Sequence, residues 1–241
     1  MELQKQPLGR WLDKATRKLA NHPVVKRMVP KWSLRQAQDI WNRQWANPNF
    51  AAAWVLTAPP QEVEEAVQTG WFPSGTRVLD IGCGSGELSA WLASQGFEVL
   101  GIDFAENAIQ RARAKHKNFQ GNLSWRVVDI CRETPGAEPF DVLIDRGCLH
   151  GISVDSIPLY VRHITACCAP GARFLLFHKT APVSSAHLAM EEKTRALTGL
   201  IKTHFQPAFE IIQISPTTLL RATGDNPKQP MAGLAIRMVR Q

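Results

Sequence analysis

Nowhere in the 241 residues does an apolar run approach the roughly 20 residues that span a bilayer. The first residues also lack an apolar core followed by a small-residue cleavage site, so the expectation is a soluble, cytoplasmic protein. Five cysteines, Cys83, Cys131, Cys148, Cys167 and Cys168, make an odd set without a CxxC pair, and neither a disulfide framework nor a zinc site is expected. No HxH or HExxH spacing is present, so no metal ligands are assigned. Internal repeats, low-complexity tracts and RRM, KH or zinc-knuckle patterns are missing as well, which removes the commonest routes to sequence-specific RNA binding. What remains is ordinary globular usage, 44% hydrophobic and 20% charged, in a length suited to one large domain or a domain with an appendage.

The charge is unevenly placed. The formal net charge is +7, and the whole excess lies in residues 1–50, where ten Lys or Arg face only Glu2, Asp13 and Asp39. Residues 51–241 are electrically balanced. Within the arm, Leu8, Trp11, Leu12, Ala15 and Leu19 recur at helical spacing with basic residues largely opposite. Pro23 and Pro30 interrupt, and Ser33 with Gln36 three residues later forms a capping box that predicts a second helix to about Trp45. A basic amphipathic segment over residues 8–35 suits an anionic membrane surface or an acidic partner, or is simply a solvated face. Nucleic acid is not the expected partner.

Past Thr76 the pattern changes to short apolar strands alternating with amphipathic helices. Strands are predicted at Arg77 to Ile81, Glu98 to Asp103, Leu123 to Asp129, Phe140 to Asp145, Ala172 to His178, Glu210 to Ile214 and Leu234 to Val239. Helices fall at Gln61 to Thr69, Glu87 to Ser94, Glu106 to Lys117, Ser156 to Cys168 and Ser185 to His204. Such alternation specifies an α/β fold, a doubly wound, mostly parallel seven-stranded sheet. The turn over Gly224 to Pro230 is too short for a crossover helix, so the last strand runs antiparallel. The division predicted is a basic helical extension, 1–50, and a main α/β domain, 51–241.

The first strand, Val78 to Ile81, runs straight into Gly82, Cys83, Gly84, Ser85 and Gly86 and then a helix. Alternate glycines permit a tight turn and let a ligand approach backbone N–H groups at a helix start. Ligands bind at the carboxyl ends of such strands, beside the point where strand order reverses. The dinucleotide fingerprint G-x-G-x-x-G would need glycine where Glu87 stands. DIGCGSG instead resembles the first motif of class I S-adenosylmethionine-dependent methyltransferases, a resemblance extending from about Thr76 to the C-terminus. It implies S-adenosylmethionine as cofactor.

The resemblance carries roles with it. Asp103, twenty-one residues past Gly82, would accept hydrogen bonds from both ribose hydroxyls, for which a carboxylate offers two oxygens. Asp129 would receive the adenine amino group while the Ile130 N–H reaches the ring, with Phe104 and Ile130 sandwiching the base. The alternative for Asp129 is a cap or turn residue, and for Phe104 core packing. Asp80 would orient the methionyl end around its ammonium group or brace the glycine loop.

Phe140 to Ile152 reads FDVLIDRGCLHGI and resembles the thiopurine, halide and thiol methyltransferase-like branch. Asp145 is expected to face the pocket and orient substrate or the cofactor's amino group, or else to sit in a buried salt bridge to Arg146 or another residue. His150 suits a general base at neutral pH, or a packing role at a helix start. Trp41 and Trp45 would fold over the cofactor as a lid, their faces suited to a sulfonium, or merely dock the extension. The expected activity is methyl transfer to a thiol, chalcogen or hydroxyl of a small molecule. The alternatives are a protein or RNA methyltransferase docking through the arm, and a non-catalytic scaffold.

Overall fold

The computed structural model describes residues 33–50, 58–180, 190–219 and 231–241. The amphipathic segment expected over residues 8–19 therefore lies outside the described residues.

Helix α1 (Leu34–Ala46) opens on Ser33, whose hydroxyl accepts the Gln36 N–H while the Gln36 side chain accepts the Ser33 N–H, the reciprocal cap anticipated from sequence. Helix α2 (Gln61–Gln68) follows. The alternating part then runs β1 (Arg77–Ile81), α3 (Glu87–Ser94), β2 (Glu98–Asp103), α4 (Glu106–Lys115), β3 (Leu123–Val127), β4 (Phe140–Arg146), α5 (Ile157–Ala166), β5 (Cys168–Lys179), α6 (Met190–Phe205), β6 (Phe209–Leu219) and β7 (Met231–Arg240). The sheet order is β3-β2-β1-β4-β5-β7-β6, with β1 to β5 parallel and β7 antiparallel to both neighbours. Strand order reverses at β1, so the crevice beyond β1 and β4 is the binding position such a sheet offers.

Successive strand residues feed opposite cores, the period of two that a sheet covered on both faces demands. Leu143, Phe174 and Leu176 pack with Tyr160, Ile164, Leu197 and Ile201 under α5 and α6. Val142, Ile144, Leu175 and Phe177 pack with Val63, Phe72, Leu92 and Phe97 on the side of α2 and α3. Continuous rather than alternating apolar strands are the sequence signature of this two-sided burial.

Several element ends differ from expectation, three of them for evident local reasons. β3 stops at Val127 because Asp129 turns the chain, its carbonyl accepting from Arg132 N and Glu133 N and its carboxylate from Cys131 N. β5 begins at Cys168, through Pro170 and Gly171, residues that read as a turn. β6 continues past Pro216, which a sheet accepts because β6 is an edge strand. Among the described residues, no helix is long and apolar enough to cross a membrane.

Candidate functional site

The turn after β1 is drawn tight by Gly82 N and Cys83 N, which both donate to Ile102 O at 2.8 and 2.9 Å. Gly82 (φ +73°) and Gly84 (φ +55°) sit in the left-handed region. A Cβ on Gly82 would come within 2.8 Å of Cys148 Cβ on the loop after β4, and one on Gly84 within 3.0 Å of the Trp45 ring. Glycine at these two places keeps bare backbone facing the crevice. Gly86 ends the turn as the N-cap of α3. Cys83, inside the turn, has its thiol held well above the usual range, first by burial and then by Asp80 and Asp103, which suits a filler and not a nucleophile.

Two aspartates brace this turn. Asp103, ending β2, accepts Gly84 N at 3.2 Å on one oxygen and Ala105 N at 2.8 Å on the other. Burial raises it to about 6 against these bonds. Asp80, in β1, accepts the Ser89 hydroxyl at 2.6 Å, and burial pushes it up to about 7, with Arg146 opposing. Each carboxylate has lone pairs beyond those used, so both retain acceptor capacity.

A cleft of about 450 Å³ opens over the turn, lined among others by Trp45, Pro60, Asp80, Gly84, His116 and Arg146. That volume lies in the range of small-molecule sites. A bare glycine turn, acceptor carboxylates and an aromatic wall fit an adenosyl cofactor of the kind the sequence motif implies.

The extension reaches this cleft. α1 is fastened to the domain by Gln38 Nε2 donating to Phe104 O (3.1 Å) and by Asn107 N donating to Asn42 Oδ1 (3.0 Å). Trp45 is 4% exposed, meets Phe50 edge-on at 5.2 Å and lies under the Arg111 guanidinium, while its ring edges Gly84. Trp41 and Phe104 are half-buried in the same small cluster with Ala105 and Ala108. Docking and wall-forming are thus combined in α1. Trp45 is among the cleft's lining residues, with Trp91 of α3, whereas Trp41 is not.

Other expectations are corrected. Ile130 is 4% exposed and belongs to the α5–α6 core, so its side chain is not placed to sandwich a base; its carbonyl accepts from His163 Nδ1 at 2.8 Å. Asp129 is not contradicted: Oδ1 accepts Cys131 N at 3.0 Å in the turn, while buried Oδ2, 3.1 Å from Arg132 Nε, makes no hydrogen bond among the described residues and keeps its capacity to accept an amino group. Asp145 does not face the cleft and is not ion-paired with Arg146. It is 0% exposed and accepts Gly147 N (2.9 Å), Cys148 N (2.7 Å), Leu149 N (2.9 Å) and the Tyr160 hydroxyl (2.7 Å). Burial raises it to about 6 in spite of those donors. It shapes the loop that carries His150. Arg146 itself lines the cleft near Asp80 and Glu62, the two acids that support its charge against burial.

His150 is half-buried with Nδ1 sealed and unpartnered, and burial together with Lys179, His178 and Arg146 holds its pKa well below the ordinary value. Its ring meets His178 edge-to-face at 5.6 Å. His178 was not singled out from sequence, although it closes a parallel strand at its carboxyl end; His116, on the cleft wall, carried no such signal. Among the described residues, no group of three or more His, Cys, Asp or Glu side chains could hold a metal ion.

Residues 78–171 match the family model described as a methyltransferase domain. The chain is similar to 2-heptyl-1-hydroxyquinolin-4(1H)-one methyltransferase of Mycobacteroides abscessus, 29% identical over 179 residues, covering 71% of this chain and 74% of that one. Its fold is similar to a structure from the conversion of a disulfide bond into a thioacetal group during echinomycin biosynthesis (TM-score 0.70, 22% identity, 85% of this chain and 92% of that one). It is also similar to the N-methyltransferase NodS of Bradyrhizobium japonicum in complex with S-adenosyl-L-homocysteine (TM-score 0.58, 18% identity, 85% and 98%).

Proposed function

We propose that this chain, a class I S-adenosylmethionine-dependent methyltransferase, delivers its methyl group to a hydroxyl of a small aromatic molecule, with residues 1–50 serving as a lid on a catalytic domain, 51–241. The carrying observation is convergence: the bare turn at Gly82 and Gly84, Asp80 and the Trp45 ring border one cleft, and Asp103 braces the same turn. In this reading Asp103 holds the ribose, Asp80 and Arg146 flank the methionyl end, and Trp45 with Phe104 forms an aromatic wall. S-adenosylmethionine, when bound, supplies a methyl sulfonium, for which displacement needs alignment and exclusion of water more than acid chemistry. Trp45 contributes to that exclusion from the extension, and the loop latched by Asp145 borders the same end of β4.

The mycobacterial relative is named for a hydroxyquinolinone, which supports a hydroxylated aromatic acceptor here. The DRGCLH run over Asp145 to His150 supports thiols and other chalcogen nucleophiles as the second reading. The described residues lack a membrane-crossing helix, which is compatible with a cytoplasmic enzyme. The test is incubation of the full chain with methyl-labelled cofactor and separate panels of phenols and N-hydroxy heteroaromatics, thiols, protein and RNA. Label in the hydroxyl panel is expected. Label confined to thiols, protein or RNA would overturn the acceptor assignment.

A further inference from the structure

His178 is the penultimate residue of β5 and His150 sits in a 3-10 turn (Leu149–Gly151) shortly past β4, on the side of the sheet where an acceptor must meet the cofactor. The loop after β4 is built to press the first imidazole close to backbone. Gly147 has φ +115°, and a Cβ there would lie 2.9 Å from His150 Cε1 and 3.3 Å from Nε2. Asp145, accepting three successive backbone amides and the Tyr160 hydroxyl, fixes that loop from beneath.

The second imidazole has its tautomer dictated. His178 is 1% exposed and its Nδ1 lies 2.8 Å from Lys179 O. A carbonyl only accepts, so Nδ1 carries the hydrogen and Nε2 keeps its lone pair. Beside it stands His150, with a sealed Nδ1 lacking any partner and the two ring centroids 5.6 Å apart at 80°. A buried ring nitrogen without a partner calls for an acceptor, and the neighbouring ring keeps one lone pair that can serve.

We infer that His178 is the positioning residue for His150: His178 Nε2 accepts the His150 Nδ1–H, which leaves the His150 Nε2 lone pair to receive the proton of an acidic hydroxyl on the acceptor. The inference rests on the hydroxyl reading above and deepens it. As the acceptor oxygen gains the methyl carbon, its hydrogen passes to His150 Nε2 and the methyl–sulfur bond breaks with its electron pair left on sulfur. Burial first, then the charges of Lys179 and Arg146, keep the His150 ring neutral. A ring held this weakly basic takes a proton readily only from an acidic hydroxyl, so phenolic, enolic and N-hydroxy groups are favoured over aliphatic alcohols.

The experiment is two-bond 1H–15N correlation of the histidine rings in the full chain at neutral pH, with His150 and His178 assigned from His150→Gln and His178→Gln. His150 is expected neutral with hydrogen on Nδ1. In His178→Ala the Nε2–H form should become the major one, whereas His178→Gln, whose amide oxygen still accepts, should keep the wild-type form. Methyl transfer to unsubstituted phenol, which stays protonated at neutral pH, is expected to fall about ten- to a hundredfold in kcat for His178→Ala, with KM for the cofactor little changed and partial recovery in His178→Gln. A wild-type His150 bearing its hydrogen on Nε2, or a tautomer indifferent to residue 178 in both variants, would overturn the pairing. The ring spectra need no acceptor, so correct tautomers alongside no methylated hydroxyl would instead sink the acceptor reading.

Discussion

The indole of Trp45 occupies the space a side chain on Gly84 would require, with only 3.0 Å between its Cζ2 and the position of such a Cβ. A residue of the N-terminal extension thus touches the backbone turn that forms the floor of the cleft. The extension and the site are one construction, and α1 cannot be separated from cofactor binding without cost.

Trp45→Ala should therefore weaken S-adenosylhomocysteine binding by roughly 1–2 kcal/mol, in line with loss of an aromatic wall, while Trp45→Phe recovers most of it. Gly84→Ala should be worse than its small size suggests. It adds a left-handed cost of about 1–2 kcal/mol and forces the indole aside. Calorimetric affinities of the three variants check the pair.

Tyr160→Phe removes one of four donors from the buried Asp145 carboxylate. The expected loss of stability is about 1.5–3 kcal/mol, the scale of a hydrogen bond to a charged group. Denaturant unfolding should show it, and turnover should fall further than cofactor affinity, because the loop released is the one carrying His150.

Asp80 gives the site a pH signature. Its folded pKa of about 7 exceeds the unfolded value of 3.8, so between these limits the folded chain holds more protons and stability falls as pH rises, by an amount on the order of 4 kcal/mol. Asp103 and Asp145, each raised to about 6, act in the same direction. A cofactor ammonium prefers the ionised carboxylate, so affinity should climb with pH through about 7. Thermal melts of free protein and binding isotherms across that range should show opposite slopes, both flattened in Asp80→Asn.

Much of this was legible in the sequence. The capping box at Ser33, strands β1 and β2 to the residue, the antiparallel last strand and the Gly82–Gly86 turn are all local patterns, and local patterns survive folding. Long-range facts were hidden. Asp145 and an exposed pocket acid have the same one-residue signal, and only the return of α5 with Tyr160 shows where its oxygens point. Ile130 and an adenine-stacking isoleucine are equally apolar. His178 lay in an apolar strand whose register against β4 sets it beside His150, a relation spanning 28 residues that no spacing rule records.

The central claim is that the turn after β1, braced by Asp103, holds an adenosyl cofactor. Titration calorimetry of S-adenosylmethionine and NAD into wild type and Asp103→Ala tests it most directly. One S-adenosylmethionine site, no heat from NAD, and an affinity loss of about 1–3 kcal/mol in the variant are expected. Tighter binding of NAD, or an Asp103→Ala protein that folds and binds S-adenosylmethionine unchanged, would contradict it.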